Sequence, residues 1–143
     1  MNCIKVGTCA VFGVTGAALI RLFGGWSEDI VTLITVMSID FIMGLLVAAV
    51  FNKSPKSENG SMSSKSCFLG ICKKCTMLLF VLVAHRLDIS LGTDYIKPAT
   101  VIAFIVNELI SIVENAGIIG VPMPKIITRA IDLLKNKGES SDA

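Results

Sequence analysis

IVTLITVMSIDFIMGLLVAAVF, residues 30–51, is an apolar run whose only charge is Asp40. A helix needs roughly 20 such residues to cross the hydrocarbon core of a bilayer, and this run is long enough. An isolated strand would leave its N–H and C=O groups unbonded in lipid, whereas a helix satisfies them internally. The alternating segments of ~10 residues that a membrane barrel requires do not occur. The stretch predicts a transmembrane helix.

Three further apolar segments are read by the same measure. The first, a span of about 6–22, has its apolar run from Val6 to Ile20 between Lys5 and Arg21 and is marginal in length. Residues 75–94 are clean through Ala84 and then meet His85, Arg86 and Asp88. Residues 99–115 contain Asn107 and Glu108. The expected fold is an all-α membrane protein of three to four transmembrane helices plus a C-terminal amphipathic helix. Its transmembrane domain covers 1–116, with a loop over 52–74, an amphipathic helix over 117–137 and a disordered tail over 138–143. Lys5, Gly16 and Ala18 would also suit a signal peptide. The closeness of Arg21, and the need of the other segments for membrane insertion, favour a retained first segment.

Composition agrees. Hydrophobic residues are 53% of the chain, charged residues 17%, and the mean hydropathy is +0.76. Soluble domains carry about 25% charged residues. The net charge of +2 is too small to suggest nucleic acid as a partner. Its distribution is more informative, because cytoplasmic loops collect Lys and Arg. The 52–74 loop holds Lys53, Lys56, Lys65, Lys73 and Lys74 against Glu58 alone, and the tail holds Lys125, Arg129, Lys135 and Lys137. Both are expected inside the cell, so the C-terminus is cytoplasmic. Four crossings would put the N-terminus there too.

Counting along each span, Asp40, His85, Arg86, Asn107 and Glu108 fall near mid-depth. A charge at the centre of a span costs at least ~2.5–3.5 kcal/mol, so these groups should face one another or water. Arg86 is expected either to pair with Asp40 or Glu108 or, if the third span is shifted, to reach the outer interface. Cys9, Gly13 and Ala17 on the first segment recur every fourth residue, as do Asp40, Gly44 and Ala48 on the second. Such small-residue stripes let helices approach closely, within one chain or between copies.

Other signals carry less. Cys67, Cys72 and Cys75 have an iron–sulfur-like spacing, but a cluster needs a fourth cysteine downstream and there is none. One histidine cannot build a multi-histidine metal site. No nucleophile–base pair or phosphate loop appears, so neither enzyme activity nor a cofactor or metal is expected. After Pro122 and Pro124, Ile126, Ile127, Ala130, Ile131 and Leu134 line one helical face, opposite Lys125, Arg129, Asp132 and Lys135. A basic amphipathic helix of this kind lies in the membrane interface or docks on a partner.

Several stretches in order resemble the bacteriophage holin family of the clostridial toxin-secretion and phage-lysis type. They are Gly24-Gly25-Trp26, Asp40-Phe-Ile-Met-Gly44 with Ala48 and Ala49, Gly70-Ile-Cys-Lys-Lys74 and Ala84-His85-Arg86-Leu87-Asp88. The fullest runs from Phe104 through Asn107-Glu108 and Ser111 to Glu114-Asn115-Ala116, closing on Gly120-Val-Pro122-Met-Pro124-Lys125. The resemblance covers residues 24–134. The loop around 55–62 is longer than is usual in that family, and the three cysteines are not among its signatures. What it implies is a protein of the bacterial cytoplasmic membrane that forms homo-oligomers and then lesions, depolarising the membrane. An endolysin or an exported toxin then crosses. An antiholin, the inhibitor of such a protein, would look similar and is a possible partner. The rival classes are a small ion channel or transporter subunit and a non-conducting membrane adaptor.

Overall fold

The computed structural model describes residues 2–51 and 63–139, without the side chains of residues 2–5, 9, 12, 19, 135 and 137–139. Residues 52–62 of the expected 52–74 loop, the tail beyond 139 and the Cys9 side chain therefore lie outside the described residues. Five helices follow one another: α1 (Asn2–Leu22), α2 (Glu28–Ala49), α3 (Ser64–Leu91), α4 (Ile96–Ile119) and α5 (Lys125–Glu139). No strand occurs among the described residues.

The helix ends follow local chemistry. Gly24 and Gly25 have φ of 77° and 90° and stop α1, with Gly25 N–H donating to Ile20 C=O at 2.9 Å. Ser27 then opens α2, whose first turn carries Glu28 and Asp29 beside the positive end of the helix dipole. Gly92 and Gly120, also left-handed, close α3 and α4. Pro98 falls in the first turn of α4, where its missing N–H costs little.

Three helices, α2, α3 and α4, are long and apolar enough to cross a membrane. At 1.5 Å per residue they measure roughly 33, 42 and 36 Å. The apolar part of α1, Val6–Leu22, is shorter than any of these three. α3 also begins eleven residues before the expected span, at Ser64 instead of 75. Lys65, Lys73 and Lys74 made residues 64–74 look like loop, but Phe68, Leu69, Ile71 and Cys72 between them continue the helix. At its other end α4 runs on to Ile119, taking three residues from the expected C-terminal helix.

α4 is the hub. It packs against α2, α3 and α5, whereas α2 and α3 touch each other little and α1 packs closely with none. The core is a cluster of Leu33 and Met37 from α2, Met77 and Val81 from α3, and Val101 and Ile105 from α4. The rings of Phe80 and Phe104 lie 6.4 Å apart beside it. The outside of the bundle is apolar as well. Ile39, Ile42 and Leu46 on α2, and Leu79, Phe80, Val83 and Leu87 on α3, are exposed. A bundle apolar on both its inside and its outside is built for lipid, not water.

α5 does not lie apart from the bundle as an interfacial helix would. After the left-handed turn at Gly120 and the two prolines, it folds back on α4. Ile131 is buried and Leu134 packs against the core cluster. Of the apolar face expected to enter the interface, Ile131 and Leu134 turn into the bundle, whereas Ile126, Ile127 and Ala130 stay exposed, as do Lys125, Arg129 and Asp132.

Candidate functional site

Leu33, Met37 and Asp40 follow one another at spacings of four and three, and so do Val101, Ile105 and Glu108. That spacing keeps all three residues of each helix on one face. Each carboxylate therefore occupies a core position one turn beyond the apolar cluster. On α3, Lys74 precedes Met77 and Val81 at matching spacings, which brings its side chain to the same level.

The three groups meet. Lys74 Nζ donates to Asp40 Oδ2 at 2.9 Å and also to Glu108 Oε2. Asn115, one helical turn and a half further along α4 than Ser111's neighbour Ile110, reaches back and donates from Nδ2 to Asp40 Oδ1 at 3.3 Å. Asp40 is 6% exposed and Glu108 2%, while the Lys74 side chain keeps 16%. One ammonium thus serves two buried carboxylates on two helices. Fully ionised, the layer has a formal charge of −1, and one added proton makes it neutral. Buried charges are tolerated where they are paired and hydrogen-bonded, and here α3 supplies the cation that α2 and α4 both need. A groove of about 410 Å³ between α2 and α3, lined by Ile34, Met37, Phe41, Ile71 and Leu78, opens on Lys74.

Of the five residues expected at mid-depth, Asp40 and Glu108 come together and three do not. Arg86 is exposed and twelve residues from Lys74 along α3, roughly 18 Å at 1.5 Å per residue. Its expected pairing with either carboxylate is replaced by that of Lys74. His85 is half-buried and covers the turn between α1 and α2, where a Cβ on Gly24 would lie 2.5 Å from His85 Cε1. Asn107 is exposed on the outer side of α4. The role of Lys74 was hidden in the sequence because Lys73 and Lys74 together look like a membrane-edge anchor. The available signal was its helical spacing to Met77 and Val81.

The remaining expected residues divide similarly. Ala48 is buried in the α2–α4 seam, whereas a Cβ on Gly44 or on Gly13 would meet nothing within 4 Å. Ala17 and Glu114 are exposed. Gly120, Pro122 and Pro124 form the turn into α5.

A second polar knot closes the far end of the bundle. Asp88, 6% exposed, accepts from Thr93 Oγ1 at 2.7 Å, Ile96 N–H at 3.0 Å and Lys97 N–H at 2.8 Å. It caps the start of α4 from the end of α3, satisfying N–H groups that a helix start leaves open. Lys97 Nζ donates to Phe23 C=O at 2.7 Å, tying in the α1–α2 turn. Cys67, Cys72 and Cys75 are free thiols, and no cluster of metal-ligating residues occurs among the described residues.

The sequence model of the bacteriophage holin family matches residues 17–136. An uncharacterized protein of Halalkalibacterium halodurans is 37% identical over 85% of this chain and 89% of its own length. One from Listeria monocytogenes is 33% identical over 92% and 91%, and one from Clostridium perfringens 35% identical over 94% and 93%. No solved structure matches the chain. The matched region spans α2 to α4 entire, and with them the Asp40–Lys74–Glu108 layer.

Proposed function

The chain belongs to the bacteriophage holin family, and from that premise we propose that it is a holin of the bacterial cytoplasmic membrane. Copies accumulate, associate and then open lesions that depolarise the membrane, through which an endolysin or an exported toxin passes. The C-terminus faces the cytoplasm, on the side of the basic loop.

The observation that carries this reading is the charged layer enclosed in a bundle with an apolar exterior. A membrane protein needing only an anchor has no use for three ionisable groups at the centre of its spans, where each is costly. Here α3 contributes the one cation to that layer and has little direct contact with α2. Separating α3 from the α2–α4 pair would bring Asp40, Glu108 and Lys74 to a surface that lipid solvates badly and water solvates well. Such a rearrangement favours a water-filled lesion over a closed bundle.

The test is inducible expression in bacteria carrying a potential-sensitive dye. A holin gives a silent delay, abrupt depolarisation, and lysis when a cell-wall hydrolase is present in the cytoplasm. Accumulation in the membrane without depolarisation would overturn the proposal. A saturable, ion-selective current without hydrolase release would point to a channel instead.

A further inference from the structure

The outer face of α4 differs from that of its neighbours. Ala103, Asn107, Glu114 and Gly117 are exposed and Ser111 is half-buried. They are spaced four, four, three and three residues apart, so they form one stripe along the helix. Among the described residues, no hydrogen bond or ion pair engages Asn107 or Glu114. The corresponding outer face of α3 carries the exposed Leu79, Phe80, Val83 and Leu87, with Thr76 and Ser90, whose hydroxyls donate to carbonyls of their own helix, and Arg86 towards its end. Lipid suits α3. It leaves the amide of Asn107, at the centre of α4, without a partner.

We infer that this stripe is the face through which one copy of the chain meets a second, Asn107 against Asn107. The inference rests on the proposed self-association and specifies its surface. Copies inserted in the same orientation are related by an axis along the membrane normal, so a residue near that axis faces its own counterpart. An amide is both donor and acceptor and therefore complements itself; the Glu114 carboxylate does not, so the close contact is confined to the Ala103, Asn107 and Ser111 part of the stripe. Ala103 and Ser111, one turn to either side, flank the amide with small side chains and let two α4 helices approach closely. The layer of Asp40, Lys74 and Glu108 is satisfied inside each copy, so it is not needed for this contact. The expected group of mid-depth polar residues is thus two groups, one holding a single copy together and one facing its neighbour.

Cross-linking tests this in the full chain with Cys3, Cys9, Cys67, Cys72 and Cys75 replaced by serine. Single cysteines are introduced by Ala103→Cys, Asn107→Cys and Ser111→Cys on α4, with Leu79→Cys and Val83→Cys on α3 as controls. Oxidation in intact membranes should give covalent dimers several-fold more abundantly from the α4 positions than from the α3 positions. In an Ala103→Cys background, Asn107→Leu should lower the dimer yield several-fold and Asn107→Gln should retain it. Equal yields from both helices, or none from α4, would overturn the inference, as would an Asn107→Leu variant that cross-links undiminished. A potential-sensitive dye in the same cells separates the two ideas. Depolarisation without α4 cross-links sinks the interface alone, whereas α4 cross-links without depolarisation sink the lesion and keep the interface.

Discussion

Lys74 donates to carboxylates on two different helices, so its loss exposes two charges to one another in a water-poor core. Removing one partner of a buried ion pair costs about 3 kcal/mol. Lys74→Met should lower the unfolding stability of the detergent-solubilised protein by that order. Adding Asp40→Asn and Glu108→Gln removes the stranded charges and should recover most of the loss. A triple variant no more stable than the single one would show that the lysine acts through its packing and not through its charge. In the same assay Arg86→Met should be close to neutral, since Arg86 is exposed and lies outside the layer. Asp40 and Glu108 were legible in the sequence because a charge inside an apolar run is conspicuous. Lys74 was not, because beside Lys73 and near Lys65 a third lysine reads as one more loop cation. Its role depends on which way α3 is turned.

Among the elements, α5 departs most from expectation. Its two-faced pattern is plain in the sequence, but an apolar face does not say whether lipid or protein will cover it. The left-handed Gly120 and the turn through Pro122 and Pro124 bring Ile131 and Leu134 onto α4. Ile131→Asp would place a charge in that contact, where burying an unpaired polar group costs several kcal/mol. The variant should release α5, raising cleavage after Arg129 by trypsin added to inverted membrane vesicles, while the helices of the bundle stay protected. If Ile131→Asp leaves cleavage at Arg129 unchanged, α5 is not held by Ile131. The beginning of α3 belongs to the same scale. Its early start at Ser64 shortens the connection from α2 and moves Lys73 and Lys74 from loop to helix, so charge density alone misplaced a helix end. Apolar residues between the lysines were the better guide.

For the whole molecule, the proposed cytoplasmic placement of the basic connection between α2 and α3 predicts a topology. With that connection inside, the α1–α2 turn lies outside and α4 returns the chain to the cytoplasm. Alkaline phosphatase fused after Trp26 should be active and a green fluorescent reporter fused after residue 139 should fluoresce, each reporting its own compartment. A fluorescent reporter at Trp26 together with active phosphatase at the C-terminus would invert this arrangement. The α1–α2 turn is also where His85 rests over Gly24 and Lys97 holds Phe23 C=O. Two short motifs of the sequence, Gly24-Gly25-Trp26 and Ala84-His85-Arg86, therefore meet in space although about sixty residues separate them.

By itself the sequence determined that this chain is helical and belongs in a bilayer, because the cost of unbonded backbone in lipid permits a long apolar run no other form. It also singled out Asp40 and Glu108, since a charge in such a run demands a partner. Only the tertiary structure decided which partner. Pairing depends on the rotation of each helix about its axis and on its shift along its neighbours, and both are set by packing around α4. That packing selects Lys74 over Arg86, turns Asn107 outward and folds α5 inward.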